Sequence, residues 1–154
     1  MSNGLLFHND ELVAQYLFAK YHLIPMKYDQ AVGILVEGDL SGAVLFHGWN
    51  GFNVELSYYG EWTMTPGIIR CLARILVSTF KVSRVTVTVS QRNRKFIRSL
   101  QKLGFALEGV QRRFYGSQDT RRTTGVRLVM FRERLEQLCQ WPVAQEITYV
   151  RTYQ

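Results

Sequence analysis

Asn93-Arg94-Lys95-Phe96-Ile97-Arg98-Ser99-Leu100-Gln101-Lys102-Leu103-Gly104-Phe105-Ala106-Leu107-Glu108-Gly109-Val110-Gln111-Arg112 is the stretch on which the fold turns. Immediately before it, Val85-Thr86-Val87-Thr88-Val89 is a run of five β-branched residues, which favours an extended strand. The polar Ser90-Gln91-Arg92-Asn93 breaks that strand, and Asn93 can cap a helix by accepting a backbone N–H bond. Phe96, Ile97, Leu100 and Leu103 share one helical face, and Gly104 supplies the left-handed residue that ends the helix. The order is strand, capped helix, glycine, strand.

Working outward, the N-terminal half reads as one helix and three strands. Residues 9–21 start with Asn9 or Asp10 as a cap, and Leu12, Val13, Tyr16, Leu17 and Lys20 follow helical spacing. Residues 31–37 and 43–49 read as strands joined by a Gly38-Asp39 turn, and Asn50-Gly51 makes a second turn into a strand over 52–59. Along that strand Val54, Leu56 and Tyr58 share one face, while Asn53, Glu55, Ser57 and Tyr59 share the other. A helix over 66–80 begins with Thr65 as cap and Pro66 at its first position, and carries Ile69, Leu72, Ile75, Leu76 and Phe80 as a buried stripe. Arg70 and Arg74 lie four apart on another face of it.

Beyond the central stretch, the strand that opens at Ala106 is expected to continue through Val110 to Tyr115. Gly116-Ser117-Gln118-Asp119 turns, residues 126–131 return as the last strand, and residues 132–140 form a short amphipathic helix. The tail 141–154 alternates aromatic and β-branched residues, which suits strand addition to a neighbouring chain and hence a homo-oligomer.

Charge is divided unevenly along the 154 residues. Residues 1–69 hold two basic against seven acidic residues, a net −5, whereas residues 70–154 hold seventeen basic against five acidic, a net +12. Arg92, Arg94, Lys95, Arg98, Lys102, Arg112 and Arg113 concentrate the positive charge around the central helix. Such a patch attracts phosphate on a cofactor, a nucleic acid or an acidic partner, and it is equally read as a solvated helix face. The length suits one domain, with residues 1–140 as its body and 141–154 as an extension. No apolar run approaches the roughly 18 residues of a membrane span, and no charged-then-apolar leader is present, so a cytoplasmic protein is expected. Cys71 and Cys139 form no CxxC pair and have no paired-His spacing, so neither a disulfide nor a metal site is expected.

Asn93, Lys102, Gly104, Phe105, Glu108, Gly109 and Arg112 resemble, at matching spacing, the C-terminal half of the GCN5-related N-acetyltransferases. The resemblance covers residues 84–131 and is closest to the branch that acetylates protein N-termini and to short acetyltransferase-like proteins encoded by tailed phages. It implies a single α/β domain with a mixed, mostly antiparallel central sheet flanked by helices. It also implies acetyl-CoA as cofactor and an amine as acceptor. In that family a glycine-rich loop and the helix after it hold the coenzyme A pyrophosphate on bare amides. Here that position is Glu61-Trp62-Thr63-Met64-Thr65-Pro66-Gly67-Ile68, with one glycine, no base and one amide donor lost at Pro66. The resemblance thus points to Thr65, Gly67, Ile68 and Arg70, together with Asn93, Arg94, Phe96 and Arg98 of the central helix, as cofactor-binding residues.

Direct attack of an amine on a thioester needs a base for the amine proton, an oxyanion donor and an acid for the leaving thiolate. Glu55 is the first candidate base and Glu61, at the strand end, the second; a lone strand glutamate also reads as solvated or ion-paired. The tyrosine that many relatives place seven residues after the helix asparagine is Leu100 here. Tyr115 is then an alternative acid, or a packing residue. Three functions follow: an acetyl-CoA-dependent N-acetyltransferase acting on a protein or small-molecule amine; a catalytically inactive protein of the same fold serving as a structural or interaction component, such as a phage virion component; and a nucleic-acid binder using the basic face with Phe96, Phe114 and Tyr115.

Overall fold

The computed structural model describes residues 3–23, 28–60, 64–143 and 148–150. In chain order the elements are β1 (Asn3–Leu6), α1 (Asp10–Tyr21), β2 (Gln30–Val36), β3 (Asp39–His47), β4 (Asn53–Gly60), α2 (Pro66–Ile75), β5 (Arg84–Ser90), α3 (Arg94–Leu103), β6 (Ala106–Gln111), β7 (Gly125–Phe131), α4 (Arg132–Leu138) and β8 (Thr148–Val150). The strands form one sheet in the order β6-β7-β5-β4-β3-β2-β1-β8. All neighbours are antiparallel except β4 with β5 and β1 with β8. A parallel neighbour needs a crossover, and α2 provides it between β4 and β5.

Alternation along the strands divides the core in two. Leu6, Ala31, Leu35, Ala43 and Leu45 face α1 and pack with its Val13 and Leu17. Val54, Val85, Leu128 and Met130 face the other way and pack with Ile68 and Leu72 of α2, Leu100 of α3 and Leu135 of α4. Phe46 is wholly buried and stacks on Phe80, ring centroids 5.1 Å apart. Phe80 closes a π-helical turn, Leu76–Phe80, that prolongs α2 and stops where Lys81 takes a left-handed φ of 53°.

The capping expected from sequence is present at α2 and α3. Thr65 Oγ1 accepts from the Ile68 amide at 3.4 Å, and Asn93 Oδ1 from the Phe96 amide at 3.4 Å. Gly104 ends α3 with φ 124°, a value open to glycine but strained for other residues. At α1 the cap position falls on Asn9, which accepts from the Val13 amide through its carbonyl with no side-chain cap bond.

Two expectations are corrected. The strand opened at Ala106 ends at Gln111 rather than reaching Tyr115, because Arg113 has φ 56° and Arg112 is drawn into an ion pair with Asp119 across the following loop. Tyr115 therefore sits in that loop. Residues 3–6, which lack a clear strand signal, form β1 because β2 offers them an antiparallel partner. In the tail, Thr148–Val150 pairs in parallel with Gly4–Leu6 of the same chain.

Candidate active site

β4 and β5 pair only from Asn53↔Arg84 to Leu56↔Val87, although β4 continues to Gly60 and β5 to Ser90. Past Leu56 the two strands separate, while β4 stays paired with β3 up to Gly60. Alternate peptide groups of β4 in this span therefore face a gap instead of a strand. The gap opens into a cleft of about 1430 Å³ lined by β4, β5, α3 and the loop after β6. Tyr58 of β4 meets Phe96 of α3 edge-on there, ring centroids 5.9 Å apart. A smaller apolar cavity of about 90 Å³ adjoins the cleft among Leu56, Met64, Ile69, Phe96 and Leu100.

A polar line crosses the β4 face opposite the α2–α4 core. Glu55 Oε1 accepts from Arg127 Nη2 at 2.8 Å, and Glu55 Oε2 lies 3.4 Å from His47 Nδ1. His47 Nε2 is 2.9 Å from Ser57 Oγ. The hairpin register places His47 opposite Glu55 and Leu45 opposite Ser57, so Glu55, Ser57 and His47 emerge on one face. Nearby, Thr86 Oγ1 donates to Asn53 Oδ1 at 2.7 Å.

Of the sequence candidates, Glu55, Tyr115, Asn93, Phe96 and Arg98 line the cleft. Tyr115 donates to the Thr88 carbonyl at 3.2 Å; burial of the phenol, then the nearby Tyr59, raise its pKa above the ordinary tyrosine value. It is therefore a protonated phenol at neutral pH. Thr65, Gly67 and Ile68 start α2, where Pro66 has no N–H and the Ile68 amide is taken by Thr65. Arg70 sends Nη1 to the Trp141 carbonyl at 3.5 Å, toward the segment after α4. Arg94 is exposed and is not among the cleft-lining residues. Glu61 lies outside the described residues.

Sequence reasoning missed His47, which lines the cleft together with Ser57 of the Glu55 face and Lys95 and Lys102 of the basic patch. A signal for His47 was available: reflection about Gly51 of the Asn50-Gly51 turn places residue 47 opposite residue 55. Two residues of the central motif have structural partners. Glu108 pairs with Arg84 and lies 3.8 Å from Arg127 Nε, while Arg112 pairs with Asp119.

No family model and no curated protein sequence matches the chain. Solved structures do. The spermidine/spermine N-acetyltransferase SpeG from Vibrio cholerae aligns with a TM-score of 0.59 at 16% identity, covering 83% of this chain and 77% of that one. The chain has the fold of the GCN5-related N-acetyltransferases. An acetyltransferase of that family from Bacillus anthracis aligns at a TM-score of 0.56 and 14% identity, covering 67% of this chain and 66% of its own. A further structure assigned as an acetyltransferase aligns at a TM-score of 0.61 and 19% identity, and the chain spans 62% of its length. The match agrees with the mixed, mostly antiparallel sheet and flanking helices expected from the residue 84–131 motif. Among the described residues no helix is long and apolar enough to cross a membrane, and no group of three or more His, Cys, Asp or Glu could hold a metal ion.

Proposed function

We propose that the chain is an acetyl-coenzyme A-dependent N-acetyltransferase acting on a protein or small-molecule amine. The observation that carries this reading is the separation of β4 from β5 beyond Leu56 and Val87, at the head of a cleft whose walls hold an acid, a base and cations. Acetyl-coenzyme A fits the donor set: Lys95, Arg98 and Lys102 on α3 offer positive charge to phosphates, and the apolar cavity beside Phe96 suits an uncharged arm. The cofactor supplies the activated acetyl thioester.

The chain's own residues do the rest. Glu55, through His47, accepts the proton that an attacking amine must lose. The β4 peptide groups that face the gap donate to negative charge developing on the carbonyl oxygen. Tyr115, whose phenol lines the cleft, gives its proton to the departing thiolate. Asn93 at the start of α3 lines the cleft beside the α3 cations, whereas Thr65, Gly67 and Ile68 at the start of α2 lie outside its lining.

One feature favours a second reading, a non-catalytic interaction protein of the same fold: the first turn of α2 loses one amide to Pro66 and another to Thr65. Calorimetric titration of the folded protein with acetyl-coenzyme A at low ionic strength, followed by thiol-release assays on a panel of polyamines and short peptides, separates the two. Micromolar binding with amine-dependent thiol release is expected. A folded protein that binds no coenzyme A leaves the interaction reading.

A further inference from the structure

Ser57, His47 and Glu55 are arranged as a nucleophile, a base and an orienting carboxylate. His47 Nε2 is 2.9 Å from Ser57 Oγ, and His47 Nδ1 faces Glu55 Oε2 at 3.4 Å. Arg127 holds the other Glu55 oxygen at 2.8 Å, so the carboxylate has a fixed direction. A carboxylate opposite Nδ1 favours the tautomer with the proton on that nitrogen, which leaves the Nε2 lone pair to accept from the serine hydroxyl. Such an array is recognised by geometry and roles rather than by chain order.

Its position adds a second argument. Ser57 is the first β4 residue past the last β4–β5 pair, Leu56↔Val87, so its hydroxyl stands where the cleft opens and where β4 peptide groups lose their strand partner. Histidine and glutamate are each about one-third exposed, 30% and 32%, which leaves the array reachable from the cleft. An amine base alone has no need of a serine hydroxyl bonded to the imidazole.

We propose that Ser57 is a nucleophile that takes an acyl group from an activated oxygen ester to form a covalent acyl-Ser57. Ser57 Oγ forms an ester bond to the acyl carbon as the bond from that carbon to the leaving alkoxide or phenoxide breaks. His47 Nε2 takes the serine proton and returns it to the leaving group. Water or an amine then attacks the ester carbon, gives its proton to His47, and Ser57 Oγ leaves with that proton. No oxidant, reductant or metal enters the balance. The acylation half goes beyond the acetyltransferase reading and holds for donors without coenzyme A.

The test uses p-nitrophenyl acetate, which lacks every part of coenzyme A. Wild-type protein is expected to release p-nitrophenolate, and Ser57→Ala and His47→Gln to release it about 10²-fold or more slowly. Ser57→Cys, whose thiolate is the better nucleophile, is expected to retain one acetyl mass on the tryptic peptide that carries residue 57. Circular dichroism of the three variants confirms that they fold. Equal rates in wild type and Ser57→Ala, or acetyl confined to lysine peptides, overturn the proposal. If amine acetylation from acetyl-coenzyme A survives Ser57→Ala while that ester result is negative, the transferase reading stands and this one falls.

Discussion

Arg127 Nη2 donates to Glu55 Oε1 at 2.8 Å across the intervening strand β5, joining β7 to β4 just before the sheet opens. Both side chains are about one-third exposed, so solvent screens the pair and its contribution to stability is under about 1 kcal/mol. Its larger effect is on direction: with one oxygen held, the other is aimed at His47. Arg127→Met is expected to shift the urea midpoint little and to lower acyl transfer about tenfold, the scale of a misdirected base. Urea denaturation beside kcat/KM checks both parts. A stability loss of several kcal/mol with unchanged turnover would make the pair a strut of the fold.

The cations on α3 are not equivalent. Lys95, Arg98 and Lys102 line the cleft, whereas Arg94, next to the same cap, is outside its lining. Charge reversal Arg98→Glu is expected to weaken coenzyme A binding about tenfold or more at low salt, with the difference shrinking as salt rises, and Arg94→Glu to have a smaller effect. Titration calorimetry at two ionic strengths reads this; equal losses for the two variants would mean that only the helix's net charge matters.

Tyr16 on α1 has its pKa raised to about 12, by burial first and then by the nearby Tyr21 and Tyr58. An unfolded tyrosine titrates near 10. Between these values the folded state keeps a proton that the unfolded state has released, so stability is full below about pH 10 and falls as pH rises toward 12. Tyr16→Phe is expected to flatten the alkaline limb of the stability curve, measured by urea denaturation from pH 8 to 11. An unchanged alkaline slope would assign that limb to other groups.

Phe46 and Phe80 form the stacked pair that joins β3 to the end of the α2 extension, and Trp49 Nε1 adds a bond to the Phe80 carbonyl at 3.1 Å. Phe46→Ala removes a wholly buried ring and is expected to cost about 3–5 kcal/mol, whereas Phe46→Leu, which refills most of the volume, costs less. Denaturant midpoints at constant m-value decide it; a loss under about 1 kcal/mol would mean that the surrounding core collapses into the space.

Local grammar was enough for most elements. Thr65-Pro66 and Asn93 start helices with their own side chains or fixed φ, Gly104 stops one, and the β-branched run at Val85–Val89 has one favourable conformation, so these elements depend on neighbours within a few residues. The alternation of residues 53–59 similarly assigned Glu55 and Ser57 to one face. Where the sequence signal was weak, the partner strand decided: Asn3–Leu6 is a strand because β2 offers hydrogen bonds to it. The turn at Arg113 cut short a strand that β-propensity would have carried to Tyr115.

The polar array of Glu55, His47, Ser57 and Arg127 belongs to that second class. The chain spells out Glu55 and a hairpin turn at Asn50-Gly51, yet the 2.9 Å contact between His47 and Ser57 and the Arg127 bond to Glu55 arise from strand register and from residues 72 positions apart. The parting of β4 from β5 is likewise invisible locally, since both strands continue in good extended sequence beyond Leu56 and Val87. Residue identity thus set which groups could do chemistry and which face of a strand they occupy. Packing of distant strands and helices set which of them meet, because contacts across a sheet depend on register and divergence rather than on neighbours in the chain.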